Sequence, residues 1–285
     1  MEDFVQDIKK GKKIKKPLQG GNGIVHFVKG KSGREYAIKI PLVPSLSFLE
    51  NELEIMKILS QNCPSVVICY YGLAKTKFGN GLIMEYVNGR ELFEIYEKNI
   101  QISVEQQYTI LYHLFSGINC MHSLGIAHRD IKLENIIFNE NGIKIIDFGD
   151  ACYFKNSKNI CNNIRGTKEC MSPEIGNNQI LLYPKLWPCC DVWASGIVML
   201  ELIFNGDHPE GFKLGKKYKL NYDLMQETMT KFLNKNFKIG YDSGIIKVIS
   251  LMLITNPKKR ITASKVMTCL NKISKKEVFN AKLSL

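Results

Sequence analysis

Between His128 and Gly149 charged and apolar blocks follow one another so closely that few folds can accommodate them. The stretch reads His128-Arg129-Asp130-Ile131-Lys132-Leu133-Glu134-Asn135, then Ile136-Ile137-Phe138. A polar tip, Asn139-Glu140-Asn141-Gly142, separates these from Ile143-Lys144-Ile145-Ile146 and Asp147-Phe148-Gly149. Asn-Gly between two β-branched runs signals a hairpin, because glycine tolerates the positive φ of a tight turn. Such a hairpin brings its ends together, with Asp130, Lys132 and Asn135 on one side and Asp147 on the other. Two carboxylates, an amide oxygen and an ammonium then face one small volume. That set can hold a divalent cation through hard oxygens, neutralise a phosphoryl group and orient a hydroxyl for attack. The competing reading, an Asp-rich solvated turn, explains any one of these elements but not all of them in register.

The elements are similar to the catalytic loop and metal-binding segment of the eukaryotic protein kinases, which carry His-Arg-Asp, Asn and Asp-Phe-Gly at matching spacing. Upstream, Leu18-Gln19-Gly20-Gly21-Asn22-Gly23-Ile24-Val25 lies between two predicted strands of a three-strand run from Ile14 to Ile40. Glycines in such a turn let backbone amides approach phosphate oxygens. Gly20, Gly23 and Val25 fit the family's glycine-rich pattern, whereas Leu18 stands where its first glycine would be. Tyr36-Ala37-Ile38-Lys39 resembles the strand that carries the family's phosphate-contacting lysine.

Ser47-Phe48-Leu49-Glu50 reads as a capping box, with Ser47 as N-cap and Glu50 as its reciprocal partner. In the helix that follows, Glu52 falls on the apolar face with Phe48, Ile55, Met56 and Leu59. A carboxylate there is costly without a cation. The resemblance pairs Glu52 with Lys39. Two further strands are expected at Val66–Tyr71 and Leu82–Met84, joined by a Phe78-Gly79-Asn80-Gly81 turn. At Met84-Glu85-Tyr86-Val87-Asn88-Gly89 the character changes from strand-rich to helix-rich. In the resemblance this is the hinge, with Met84 behind the adenine and backbone from Glu85 to Val87 bonding the purine. Apolar periodicity predicts a helix over Ser103–Leu124, in which His113 and His122 are read as structural.

After Gly149 a long polar connection ends in Gly166-Thr167-Lys168-Glu169-Cys170-Met171-Ser172-Pro173-Glu174. It resembles the family's peptide-aligning segment, with Cys170 for Tyr and Ser172 for Ala. Thr167 and Lys132 match Ser/Thr-directed members. Where the family often carries an activating phosphothreonine, this chain has Asn163, so activity independent of phosphorylation there is expected; Ser157 is a weaker candidate site. Asp191 matches a residue that ties down the catalytic-loop backbone, and Arg260 one that pairs with Glu174. Lys213–Lys238 suggests a helix with no chemistry.

The 285 residues are 45% hydrophobic and 23% charged, enough for a well-buried core and unlike a disordered chain. Thirty-nine basic against 27 acidic residues give +12, which calls for acidic partners; nucleotide is one, and nucleic acid is not expected. The lysine run Lys9–Lys16 reads as a solvated lead-in. Nine cysteines, an odd number without Cys-x-x-Cys spacing, fit reduced thiols in an intracellular protein, cytoplasmic rather than nuclear. Apolar runs interrupted by Glu201 and Lys247 predict no membrane-spanning helix.

The resemblance implies an α+β fold of two lobes within one kinase domain, residues 14–272: a small antiparallel β-lobe with one helix (1–87) and a larger helical lobe (88–285). It further implies transfer of the γ-phosphoryl group of ATP to a protein serine or threonine. Asp130, Lys132 and Asn135 are the catalytic set, and Asn135 and Asp147 hold Mg2+ or Mn2+. ATP is bound by Leu18, Gly20, Gly21, Asn22, Gly23, Val25, Ala37, Lys39, Glu52, Met84, Glu85 and Val87. Glu91, Glu134 and Glu201 match positions that receive basic residues ahead of the acceptor. A pseudokinase scaffold and a small-molecule phosphotransferase are the alternatives; the intact charged set opposes the first, and Lys132 with the Gly166–Glu174 segment opposes the second.

Overall fold

In strand β4 (Glu35–Pro41), Tyr36 and Ile38 point one way and Ala37 and Lys39 the other, the two-residue period of a sheet with both faces covered. The computed structural model describes residues 2–20, 23–42, 46–154, 161, 163–176, 180, 183–204, 227, 230–232, 234–235 and 243–283. The small lobe is an antiparallel sheet in the order β1-β3-β4-β6-β5, with β2 also pairing β3. Its strands are β1 (Lys12–Lys13), β2 (Leu18–Gly20), β3 (Gly23–Lys29), β4, β5 (Tyr70–Thr76) and β6 (Gly79–Glu85). Tyr36 and Ile38 join Val28, Ile83 and Ile8 in an outer cluster. Ala37 joins Phe27, Leu82 and Met84 in the main core. Lys39 therefore lies on the inner face, toward the large lobe.

The outer face is covered by α1 (Glu2–Lys9), an element that the sequence reading did not foresee. Phe4 stacks on Tyr71 at 5.2 Å, and Ile8 is fully enclosed. Asp7 accepts hydrogen bonds from the Ser32 amide and hydroxyl, both at 2.6 Å, and from the Tyr36 hydroxyl at 2.9 Å. Helix α2 runs from Leu46 to Asn62. It begins ahead of Ser47, so Ser47 lies in the first turn and is not the N-cap, which requires a non-helical backbone.

Val66–Ile68 is a linker locked to the large lobe rather than the start of a strand. Ile68 N donates to Ile145 O at 3.1 Å, and Ile145 N donates to Val66 O at 2.8 Å. Strand β5 starts only at Tyr70. The β5–β6 turn is Lys77-Phe78, with Gly79, Asn80 and Gly81 already in β6.

The large lobe contains β7 (Arg90–Glu91), α3 (Leu92–Glu97), α4 (Val104–Ser123), β8 (Ile126–Ala127), β9 (Ile136–Asn139), β10 (Gly142–Ile145) and β11 (Cys152–Tyr153). Then come α5 (Pro173–Gly176), α6 (Trp187–Phe204), α7 (Ser243–Met252) and α8 (Ala263–Leu283). Ser103 caps α4 in a reciprocal box with Gln106, and α4 packs against α6 and α8. By length and composition the stretch Pro184–Phe204 is apolar enough to cross a membrane. Its side chains are instead enclosed by the large lobe, which needs a helix apolar on all sides at its centre. Most of Lys213–Lys238, and Ser157, lie outside the described residues.

The expectation of wholly reduced cysteines is not met. Cys63 is bonded to Cys120, and Cys152 to Cys161, leaving five free thiols. Folding brings together Cys63 at the end of α2 and Cys120 in α4, 57 positions apart, a proximity that sequence spacing cannot signal.

Candidate active site

The hairpin forms with Asn139 opposite Gly142 and Ile136 opposite Ile145. Ile146 N donates to Asn135 O at 2.9 Å, which extends the closure one step beyond the strands and sets Asn135 beside Asp147. Upstream, Asp191 organises the loop from α6. Its carboxylate accepts the amides of His128 and Arg129, each at 2.9 Å, and the ring nitrogen Nε2 of His122 lies 2.9 Å from it. Burial of Asp191 works against its charge, but the His122 contact and these amides hold its carboxyl below the ordinary range. Arg129 and Asp147 have positive φ, 70° and 58°, a strained backbone that such surrounding contacts must impose.

Asp130 is held by four hydrogen bonds from three residues. Oδ1 accepts from Thr167 N (2.9 Å) and Oγ1 (2.7 Å), while Oδ2 accepts from Lys132 Nζ (2.9 Å) and Asn135 Nδ2 (3.0 Å). Burial raises the carboxyl pKa, yet hydrogen bonds from Thr167 and Lys132 outweigh it and keep Asp130 ionised. Lys132 Nζ also donates to Thr167 Oγ1 at 2.9 Å. Gly166, φ 102°, makes this arrangement possible, since a Cβ there would stand 2.3 Å from Arg129 O.

Across the cleft, Lys39 Nζ donates to Glu52 Oε1 at 2.7 Å and to Asp147 Oδ1 at 2.6 Å. Burial opposes the ammonium charge, but these two carboxylates overcome it and raise the Lys39 pKa. They also account for Glu52 on the apolar face of α2.

Between the lobes lies a cavity of about 660 Å³, within the range of small-molecule sites. Leu18, Val25 and Ala37 line it above, Met84 and Val87 at the hinge, and Lys39 and Asp147 at its inner end. Gly20, Gly23, Glu52, Glu85 and Asn135 complete the expected set, whereas Gly21 and Asn22 lie outside the described residues. Gly20 pairs with Gly23 across the β2–β3 turn, and a Cβ on Gly23 would meet Ile40 O at 2.5 Å. Glu85 contributes backbone to the hinge, because Lys144 Nζ (3.1 Å) and Cys69 N (3.0 Å) hold its carboxylate. Sequence reading missed Lys15 as a lining residue. Its ammonium sits 4.1 Å from the Phe27 ring centroid and 5.5 Å from that of Tyr86, a placement the lysine run did not reveal.

A model of the protein kinase domain family matches residues 14–270. The chain belongs to that family. This kinase domain is 30% identical over 241 residues to calcium-dependent protein kinase 5 of Plasmodium berghei (strain Anka), an alignment covering 77% of the domain and 41% of that protein. It is 32% identical over 193 residues to serine/threonine-protein kinase 1 of Heliothis zea nuclear polyhedrosis virus, with 67% of each chain covered. It is 28% identical over 251 residues to NUAK family SNF1-like kinase 1 of Mus musculus, covering 88% of the domain and 35% of that protein. The domain thus spans about two fifths of the length of the Plasmodium relative. The antiparallel small lobe and helical large lobe are the two-lobed kinase fold.

The donor set suits a magnesium-sized cation. Asn135 directs its Nδ2 to Asp130 O (2.8 Å) and Oδ2, which leaves the amide oxygen without either of these roles. Asp147 Oδ1 meets Lys39 and Gly149 N, so Oδ2 is the second hard oxygen available. No group of three His, Cys, Asp or Glu side chains at metal-binding distance occurs among the described residues, so soft-ligand zinc is a poorer fit.

Proposed function

We propose that this domain transfers the γ-phosphoryl group of ATP to a serine or threonine hydroxyl of a protein. The observation that carries the reading is the 2.6 Å contact between Lys39 Nζ and Asp147 Oδ1, which joins the two lobes across the cavity. An ammonium from one lobe and a carboxylate from the other thereby converge on the inner end of the cavity, where phosphates and their cation would lie. Lys39, braced by Glu52, neutralises the α- and β-phosphates, and backbone from Gly20 to Gly23 covers them. Asn135 and Asp147 hold magnesium (or manganese), which supplies charge neutralisation between the phosphates. Asp130 orients the acceptor hydroxyl and takes its proton, while Lys132 stabilises the transferring group. Thr167, bonded to both Asp130 and Lys132, keeps them at the separation that this division of labour needs. Because catalysis of this type is positioning and charge stabilisation, each group is indispensable.

Glu91, Glu134 and Glu201 support a preference for basic residues ahead of the acceptor. Burial and then Glu134 and Glu169 push Glu201 up to about 7, a carboxylate environment that an incoming cation would relieve. The Arg129 guanidinium donates to Asn163 O (3.0 Å) and Oδ1 (3.1 Å), where the family often places a phosphate. This supports activity without phosphorylation at that position.

Incubation with radiolabelled ATP, magnesium and a library of serine- and threonine-containing peptides tests the reading. The expected result is label on Ser/Thr, enriched in peptides with Arg or Lys before the acceptor. Nucleotide binding without transfer to any peptide or protein would establish the scaffold alternative instead.

A further inference from the structure

In the connection after Gly149, Cys152 and Cys161 are joined by a disulfide that the proposed chemistry does not use. Cys152 lies in β11, opposite Ala127 of β8, and is 5% exposed. Cys161 is 1% exposed, packs with Ala127, Ile175 and Trp187, and its carbonyl accepts Trp187 Nε1 at 3.3 Å. Their sulfurs are bonded, and the Cα atoms stand 5.6 Å apart, the separation that a disulfide bridges without moving backbone.

What this closure holds is Arg129, the neighbour of Asp130. Arg129 Nε donates to Asp150 O at 2.5 Å, two residues before Cys152. Its Nη1 donates to Asn163, two residues after Cys161. The guanidinium also lies 5.0 Å from the Trp187 ring that Cys161 touches. The two anchors of Arg129 therefore flank the disulfide on either side. A phosphate opposite Arg129 would bring a charge of about −1.5 to −2 and order the segment by Coulomb attraction. Asn163 offers two neutral acceptors, its main-chain carbonyl and its side-chain Oδ1, and no charge. Something else must limit the freedom of the segment, and the covalent closure does so by removing conformations from its open state.

We propose that Cys152 and Cys161 are a reversible modification site, whose disulfide holds Asn163 on Arg129 and so sets turnover in place of a phosphate. The proposal rests on the protein kinase reading for its effect on turnover. The oxidant is a low-molecular-weight disulfide of the glutathione class. One thiolate of the pair attacks it and releases one glutathione; the second thiolate attacks the mixed disulfide, forms the Cys152–Cys161 bond and releases the other. Two protein thiols become one disulfide and one glutathione disulfide becomes two thiols, so protons and electrons balance.

The test uses the full chain carrying Cys120→Ser, so that the Cys63–Cys120 bond cannot form. The protein is equilibrated in glutathione buffers of graded redox ratio, then alkylated and mapped by peptide mass. Trypsin cleavage after Arg165 and Lys168 is followed in parallel with phosphate transfer. Expected are a linked 152–161 peptide in oxidising buffer, cleavage slowed and turnover raised by about tenfold, and both changes reversed on reduction. Cys161→Ser and Cys152→Ala should each sit at the reduced level in every buffer; where either fails to fold, the redox titration of the parent decides alone. Linkage of Cys161 to Cys190, free Cys152 throughout, or a linked peptide with unchanged cleavage would overturn the proposal. Redox-dependent cleavage without transfer in either state would overturn the kinase reading and the role in turnover, and leave only the modification site.

Discussion

Two ion pairs, one within the large lobe and one between the lobes, are built from the same kinds of group and differ in how completely they are satisfied. In the large lobe Arg260 meets Glu174 through two parallel bonds, Nη1 to Oε1 at 2.6 Å and Nη2 to Oε2 at 2.9 Å. Its remaining donors reach Ile254 O, Cys189 O and Thr255 O, and the guanidinium lies over Trp193. Both side chains are 0% exposed. Nothing is left for a ligand, and the pair fastens the Pro173–Gly176 turn to the loop before α8. Between the lobes Lys39 has three N–H donors and gives two of them to Glu52 and Asp147, while Asp147 is 30% exposed to the cavity. One pair is closed and the other is open on the side where a triphosphate fits. Satisfaction, more than burial, separates a structural charge from a working one.

The largest effect that could break this distinction is at the open pair. Lys39→Met and Asp147→Ala should each lower kcat/KM for phosphate transfer by about 10³-fold or more, since the first removes the ammonium proposed to meet the phosphates and the second a proposed ligand of their cation. Asp147→Ala should unfold near the parent's midpoint, whereas Lys39→Met leaves Glu52 buried without a cation and should unfold lower. An Asp147→Ala protein with full turnover, or one that fails to fold, would make the open pair structural after all. Next comes the closed pair. Arg260→Leu leaves Glu174 buried and unpaired and should cost about 3–5 kcal/mol of stability in denaturant titration. Arg260→Lys should recover only part, because an ammonium cannot make the parallel bonds. If Arg260→Leu folds normally and loses only turnover, the contrast fails from the other side.

The Arg129–Asn163 contact is intermediate: satisfied by protein, yet adjacent to Asp130. Asn163→Ala removes the Oδ1 bond to the guanidinium and keeps the main-chain carbonyl bond. The lost bond to a charged group is worth about 1.5–3 kcal/mol at most, and part of that loss should appear as a roughly tenfold fall in turnover. Phosphatase treatment of the parent should change nothing. Abolished activity after phosphatase would assign the role of Asn163 to a phosphorylated residue elsewhere.

The two pairs were legible in the sequence for different reasons. Glu52 on an apolar helix face demands a cation by itself, whereas the pairing of Arg260 with Glu174, 86 positions away, was implied only by the resemblance to the kinase family. The Asn-Gly tip likewise announced the hairpin that carries Asn135 to Asp147. What was hidden depends on contacts between distant segments. Phe4, Val5 and Ile8 are too few to declare a helix, and α1 gains its meaning only from Tyr36 and Tyr71 across the sheet. The β-branched Val66-Val67-Ile68 has every mark of a strand, but Ile145 claims its backbone groups. Ser47 lost its cap to one extra residue of helix, and the cysteine pairs follow from packing alone. Local chemistry was readable from the residues themselves; long-range partnership was readable only where the family resemblance supplied it.

Glu201 sharpens the comparison with a third case, a half-buried carboxylate acted on by burial, Glu134 and Glu169 and, among the described residues, by no cation. Its folded pKa, about 7, lies above the ordinary value of 4.5. Below pH 4.5 both states are protonated and the site contributes nothing to pH dependence. Between pH 4.5 and 7 the folded chain keeps a proton that the unfolded chain has lost, so stability falls as pH rises through this window. Above pH 7 the charge is fully present, and with it the cost. Glu201→Gln should therefore unfold at a higher temperature than the parent at pH 8 and at much the same temperature at pH 4. The charge that destabilises the free protein is the one an arginine-bearing peptide would pair with. For such a peptide KM should drop roughly three- to tenfold between pH 6 and pH 8 in the parent, stay flat in Glu201→Gln, and show no such drop for a peptide with neutral residues ahead of the acceptor. Parallel pH profiles for the basic and neutral peptides would mean that Glu201 is an isolated strained acid rather than part of the substrate groove.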